Sequence, residues 1–359
     1  MSMNCSNQRL IIILGCNKTF LDSVAYGAGS SPSSLAVGDI NNDGKPDVVV
    51  ANFMSNDISV LQNAGDGTFL SEVRYTAQTY PISLAIGDIN GDNVSDIIVG
   101  HQGADSFSVF INTGNGTFLP QIAYPINSGA TSFGIVDLNN DNHNDLVLTA
   151  TGANNIFVFF NQGDGTFGNG TIYPTALRPS SIVIVDVNND NLYDLLYTHQ
   201  WGDNIGVRLN TGNGNFPSQS TYSSYGPVPS SLIVTDVNND TEQDVIVMNT
   251  NSATFVVLLG VGDGSFYYWG NYSTDSSPKV LILSDMNNDN KPDIIVCSQG
   301  TSLFTIYLNT GDGTFYNQTS YPAGSVAISG GVSDFNADTK PDVVILDLGV
   351  QGIRIFEQC

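Results

Sequence analysis

Seven nine-residue stretches carry the residues that could do chemistry in this chain. They read DINNDGKPD, DINGDNVSD, DLNNDNHND, DVNNDNLYD, DVNNDTEQD, DMNNDNKPD and DFNADTKPD, beginning at Asp39, Asp88, Asp137, Asp186, Asp236, Asp285 and Asp334. Positions 1, 3, 5 and 9 are always Asp, Asn, Asp and Asp. These are Asp39, Asn41, Asp43 and Asp47; Asp88, Asn90, Asp92 and Asp96; Asp137, Asn139, Asp141 and Asp145; and Asp186, Asn188, Asp190 and Asp194. The last three sets are Asp236, Asn238, Asp240 and Asp244; Asp285, Asn287, Asp289 and Asp293; and Asp334, Asn336, Asp338 and Asp342. Like charges packed so closely repel, and a fold gains nothing from them without a counter-charge.

A hard cation supplies that counter-charge. Calcium takes about six to eight oxygens, and a tight loop presents oxygens from alternate positions. Position 7 varies freely (Lys45, Val94, His143, Leu192, Glu242, Lys291, Lys340), as expected if it offers only its main-chain carbonyl. Up to seven calcium ions, one per loop, are therefore expected. An EF-hand would need Glu at position 12, where this chain has Val50, Val99, Leu148, Tyr197, Val247, Val296 and Ile345. Magnesium resists exchanging its water for a cage of protein oxygens. Asp and Asn also cap turns without any metal, but seven identical ligand sets favour the cation. At position 6 a left-handed backbone suits Gly44 and the asparagines Asn93, Asn142, Asn191 and Asn290. Thr241 and Thr339 suit it poorly, so loops five and seven are expected to bind more weakly or to bend differently.

The loops dominate the charge. Their aspartates alone are 21 of the 34 acidic residues, against 10 basic ones and a formal net charge of −24. With no basic stripe to neutralise phosphates, nucleic acid is excluded as a partner. No apolar run reaches the length of a membrane span.

The steps between loops are 49 residues, except one of 50. Within each step, segments such as LAVGD, DVVVA and ISVLQ are short and β-branched, separated by Gly, Asn and Asp, and read as strands. The continuous apolar runs VVV, IIV and LVL suit a strand buried on both faces. NAGDGTF and its equivalents read as tight hairpins. The Phe closing each hairpin and the Tyr of the fourth strand recur at repeat spacing, from Phe20 and Tyr26 to Phe315 and Tyr321, and should pack between neighbouring units. A four-stranded sheet that is apolar on both faces needs neighbours on both sides. An all-β, seven-bladed propeller of antiparallel blades provides them.

Seven repeats occupy 344 residues, so residue 16 follows residue 359 in repeat register. The last blade should take strands from both termini, with the propeller spanning residues 16–359. Residues 1–15 fall outside this scheme and read as a leader remnant or an extra strand. Cys16 and Cys359 fall on consecutive repeat positions, which allows a bridge between them in an oxidising compartment, with Cys5–Cys359 as the alternative and two unpaired thiols as the plain reading. Cys297, in the strand IIVCS, reads as core.

The DxNxDGxxD loop between two strands of a roughly 50-residue repeat resembles the FG-GAP, or VCBS-type, repeats of integrin α-subunit propellers and of many secreted proteins. The resemblance covers residues 20–359. It implies a seven-bladed propeller whose loop Asp, Asn, Asp and Asp side chains ligate calcium, and an extracellular setting. Unlike integrins, which carry such loops on only some blades, this chain has one on every blade.

Strand order places the aspartate loops and the GDG hairpins on one face. Loops joining the second strand to the third, and one blade to the next, share the other. That varied face is the expected recognition surface, with Phe53, His101, Gln102, His199, Gln200, Trp201 and Gln299 as candidates. A monomeric binding or adhesion module for protein or glycan is the leading reading. A carbohydrate-active enzyme or its accessory domain, such as a polysaccharide lyase-like propeller, is the alternative. The chain has three histidines and no GxSxG, and no catalytic motif stands out.

Overall fold

A computed structural model describes residues 19–359; the expected role of residues 1–15 and the position of Cys16 lie outside them. The described chain folds into seven four-stranded antiparallel sheets. Blade 1 runs Pro32–Gly38, Asp47–Asn52, Asp57–Leu61 and Val73–Thr76 from the inner to the outer strand. The second strand is buried at every residue in all seven blades, as its unbroken apolar run requires. Each inner strand begins with a register shift, at Pro32/Ser34 in blade 1 and at the equivalent position in the others. Among the described residues no helix is long and apolar enough to cross a membrane.

The apolar core is seven clusters, one at each joint between blades. Ile58, Val60 and Ile97 lie in the joint of blades 1 and 2, and Val344, Ile355 and Leu35 in the joint that closes the ring. All seven Phe–Tyr pairs meet as the repeat spacing implied. Tyr75 meets Phe118 with centroids 5.1 Å apart, and Tyr321 meets Phe20 at 4.9 Å. The tyrosine also reaches over its neighbour's hairpin: Tyr75 donates to the Gly116 carbonyl at 3.1 Å.

Closure uses both ends. The last blade is Ala327–Ser333, Asp342–Asp347, Gly352–Phe356 and, outermost, Val24–Gly27. Beyond it the Leu21 N–H donates to Glu357 and the Cys359 N–H to Thr19, both at 2.9 Å. Cys359 is disulfide-bonded, and Cys297 is free and buried.

Candidate functional site: the aspartate loops and the opposite face

The seven loops share one set of hydrogen bonds. The position-1 carboxylate accepts the N–H groups of positions 5 and 6; in loop 1, Asp39 accepts from Asp43 at 3.1 Å and from Gly44 at 2.7 Å. The position-3 carboxamide oxygen accepts from position 5, and position 5 from position 7, as in Asn41 with Asp43 and Asp43 with Lys45. This winding needs a left-handed residue at position 6, as the sequence indicates, and a second at position 4. In loop 1 these are Asn42 and Gly44, at φ 58° and 79°. Thr241 and Thr339 take φ 73° and 70°, so loops five and seven bend like the rest, against the preference of a β-branched residue. Loop seven adds Ala337 at φ 61°.

The ninth-position aspartate is different. Asp47, Asp96, Asp145, Asp194, Asp244, Asp293 and Asp342 are all fully buried. One oxygen accepts the position-2 N–H of its own loop, as Asp96 does from Ile89 at 2.9 Å. The other accepts the N–H at the end of the third strand: Asn63, Asn112, Asn161, Asn210, Gly260, Asn309 and Gln358, at 2.7–2.9 Å. Burial pushes Asp96, Asp145, Asp194, Asp244 and Asp342 up to about 6; the two main-chain donors oppose this, and charges at positions 5 and 1 (for Asp342, Asp338 and Glu357) add to it.

Those third-strand residues do a second job that motif reading misses. The side-chain amide of each donates to the position-2 carbonyl of the preceding blade's loop, at 2.6–3.1 Å, in six of the seven joints. The loops are thereby tied into a belt. Blade 5 carries Gly260 at this position, and there the Gly264 N–H takes the Val187 carbonyl instead, at 3.0 Å. The signal was the Asn opening NAGDG, NTGNG, NQGDG and NTGDG, visible as a repeat but without a role until the ring is closed.

The donor set of each loop fits calcium in its chemistry. It is all oxygen and carries three carboxylates. Among the described residues no hydrogen bond reaches the position-7 carbonyl in any loop, while the position-8 carbonyls of Ser95, Asn144, Tyr193 and Pro292 are taken by the belt amides. No three His, Cys, Asp or Glu side chains converge among the described residues. Holding a cation therefore requires the position-1, -3 and -5 side chains to turn from their main-chain donors toward a common centre. In loops one and six a lysine partly offsets the charge: Lys45 and Lys291 lie 3.4 and 3.5 Å from Asp43 and Asp289.

The other face separates its candidates. Gln102 and Trp201 are exposed, Trp201 at 64%, and Phe53 stacks on Tyr80 with centroids 4.7 Å apart. Gln200 accepts from Arg178, whose guanidinium lies 4.5 Å over the Trp201 ring. Gln299 is partly buried on blade 6. His101 and His199 lie inside, fully buried at the ends of second strands, against Ser108 and Asn204 at 2.7 and 2.6 Å. His143 sits on the aspartate-loop face, so the three histidines do not meet.

The FG-GAP-like repeat profile matches residues 39–99, 95–148, 137–197 and 285–345. The chain belongs to the FG-GAP-like repeat family. Three of these FG-GAP matches start at position 1 of one loop and end in the second strand of the next blade, the span that the belt ties together. No curated protein sequence matches the chain. Among solved structures, the FG-GAP propeller is similar to BBS1N, crystallised with ARL6DN (TM-score 0.68, 10% identity, 95% of this chain and 97% of that one). It is similar to an Agrocybe aegerita lectin that recognises non-reducing terminal N-acetylglucosamine (TM-score 0.58, 17% identity, 90% and 84% covered). It is also similar to an inactive virginiamycin B lyase from Staphylococcus aureus with quinupristin (TM-score 0.65, 13% identity, 94% and 99% covered). At these identities the likeness is one of fold, shared by binding proteins and enzymes alike.

Proposed function

We propose that this propeller is a calcium-binding, extracellular recognition module that engages a protein or glycan ligand through the face opposite the aspartate loops. The contrast between its faces carries the reading. One face repeats a single oxygen set seven times and binds its loops into one belt, whereas the other changes its side chains from blade to blade on the same scaffold. Calcium relieves the carboxylate crowding and stiffens the ring, since a ligand held only by the folded state stabilises it. Extracellular calcium modules bind at about 10⁻⁴–10⁻³ M, concentrations met outside the cell and not in cytosol. The test is binding of the purified protein to intact cell surfaces, with calcium and with chelator. Calcium-dependent capture that is lost on substituting the varied face supports the reading. Capture that follows substitutions on the hairpin face, or fractionation of the native protein with cytosol, refutes it.

A further inference from the structure

The varied face has one gap in its ring of side chains. In blade after blade the same main-chain bond joins a link residue to a loop residue. Phe53 donates to Ser31, Gln102 to Tyr80, Gln200 to Arg178, Thr250 to Val228 and Gln299 to Ser277, at 2.9–3.1 Å. In the link to blade 3 the corresponding residue is Gly129. A Cβ there would lie 3.0 Å from the Gln102 Cα, so the glycine lets the link pass close against the Gln102 backbone. What remains is a cavity of about 280 Å³ between blades 2, 3 and 4, lined by Gln102, Asp105, Thr131, Thr151 and Arg178. The register shifts that open the inner strands of blades 2 and 3 fall at Ile82 and Thr131, and both residues stand in its wall. Bulges commonly re-aim side chains in this way beside functional sites.

The polar groups are set for a ligand. Arg178 is fixed at three points: its N–H donates to Asn154 at 2.8 Å, its Nε donates to Gln200 at 3.2 Å, and its guanidinium lies against Trp201. Among the described residues its two terminal nitrogens have no partner, and neither has the Asp105 carboxylate. No ion pair joins the two. The cavity thus offers a donor fork, an acceptor pair and the Gln102 carboxamide, while its threonine hydroxyls bond each other and the Pro179 carbonyl. An anionic ligand satisfies Arg178 but meets Asp105 and a chain of charge −24. A cationic one meets Arg178. Hydroxyl groups, which donate and accept, satisfy both at once. Tyr80, 43% exposed beside Gln102, and Trp201 beside Gln200 add aromatic surfaces to either side.

We propose that this gap binds one residue of a neutral glycan, with neighbouring sugar rings lying on Trp201 and Tyr80. The proposal rests on the reading that the varied face is the recognition face, and it locates and types the ligand. The test is an array of immobilised neutral and carboxylated oligosaccharides, probed with the full chain in millimolar calcium. Affinities of the parent protein and of single variants are then measured on the sugars that bind. Neutral oligosaccharides should bind, and Arg178→Ala, Asp105→Ala and Trp201→Ala should each lower affinity about tenfold or more, with melting curves like the parent's. Thr301→Ala, at an exposed position of the blade 6 turn on the same face, should bind normally. If Thr301→Ala abolishes binding while Arg178→Ala and Asp105→Ala leave it intact, the pocket is wrong and the recognition face stands. Binding confined to carboxylated sugars, or none to any sugar, overturns the proposal; the latter leaves a protein ligand for that face.

Discussion

The side-chain amide of Asn112 donates to the main-chain carbonyl of Ile40 at 2.6 Å, across the joint between two blades. Its own N–H donates to Asp96 at 2.7 Å, and Asp96 in turn accepts from Ile89, whose carbonyl takes the amide of Asn161. Asn112→Ala leaves the Ile40 carbonyl buried without that donor and should cost about 1–3 kcal/mol in urea unfolding. Gly260→Asn should not extend the belt to blade 5. A Cβ there runs into the Gln243 carbonyl, so this change should destabilise as well. A stabilised Gly260→Asn variant would show that the glycine is not required by close approach.

Strain in loop seven is removable. Thr339 holds φ 70° where four other loops place Asn. Left-handed backbone costs a non-glycine residue about 1–3 kcal/mol, and Asn bears it best. Thr339→Asn should therefore raise stability by about 1 kcal/mol, and Thr241→Asn should do the same in loop five. Calcium titration of the double variant should show tighter binding than the parent. Unchanged unfolding midpoints for both variants would contradict this account of position 6.

A pH dependence follows from His101. Burial pushes its pKa down from 6.5 to about 4, so the folded state holds it neutral. The unfolded chain then binds the extra proton between those two values, so His101 contributes a slope along which stability falls as pH drops from 6.5 toward 4, opposite in sign to that of the buried loop aspartates raised to about 6. His199 shifts in the same direction. His101→Asn introduces the residue that blades 1 and 5 carry in the same register (Asn52 and Asn249), and should flatten this slope while preserving the fold. Urea midpoints measured across the range check it; an unaltered slope assigns the effect elsewhere.

The thiols give a chemical check on ring closure. Burial pushes the Cys297 thiol up to about 12, so it should stay unreactive toward a thiol reagent until the protein unfolds. Non-reducing peptide mapping should recover Cys359 linked to Cys16, its neighbour in repeat register. Linkage to Cys5 would show that residues 1–15 reach the closing joint. Recovery of Cys359 as a free thiol from protein made in an oxidising compartment would remove the covalent clasp.

The fold was legible because each structural requirement recurs seven times. The buried second strand, the GDG hairpin and the Phe–Tyr joint all announce themselves by period, and the register of residues 16 and 359 fixes how the ring closes. The oxygen set of the loops was equally plain. The different duty of the ninth aspartate was not, because its partners, such as Asn63 for Asp47, lie on a separate strand. The left-handed turn at position 4 was hidden by asparagine, which serves as readily as a ligand or a cap. The pocket was least legible of all. One wall of it is a glycine, Gly129, and its guanidinium, Arg178, belongs to no motif. Periodic reading finds what repeats, and a recognition site is where the repeat is broken.

The most direct measurement is calcium stoichiometry and affinity, by equilibrium dialysis of chelator-stripped protein with metal analysis, paired with thermal melting of the same samples. The account predicts that ions fill the loops toward seven per chain at about 10⁻⁴–10⁻³ M free calcium, with the melting temperature rising in step and falling again on adding chelator. Protein that takes up no calcium at millimolar concentration, and melts identically with and without chelator, would show that the aspartates serve only as turn-closing acceptors.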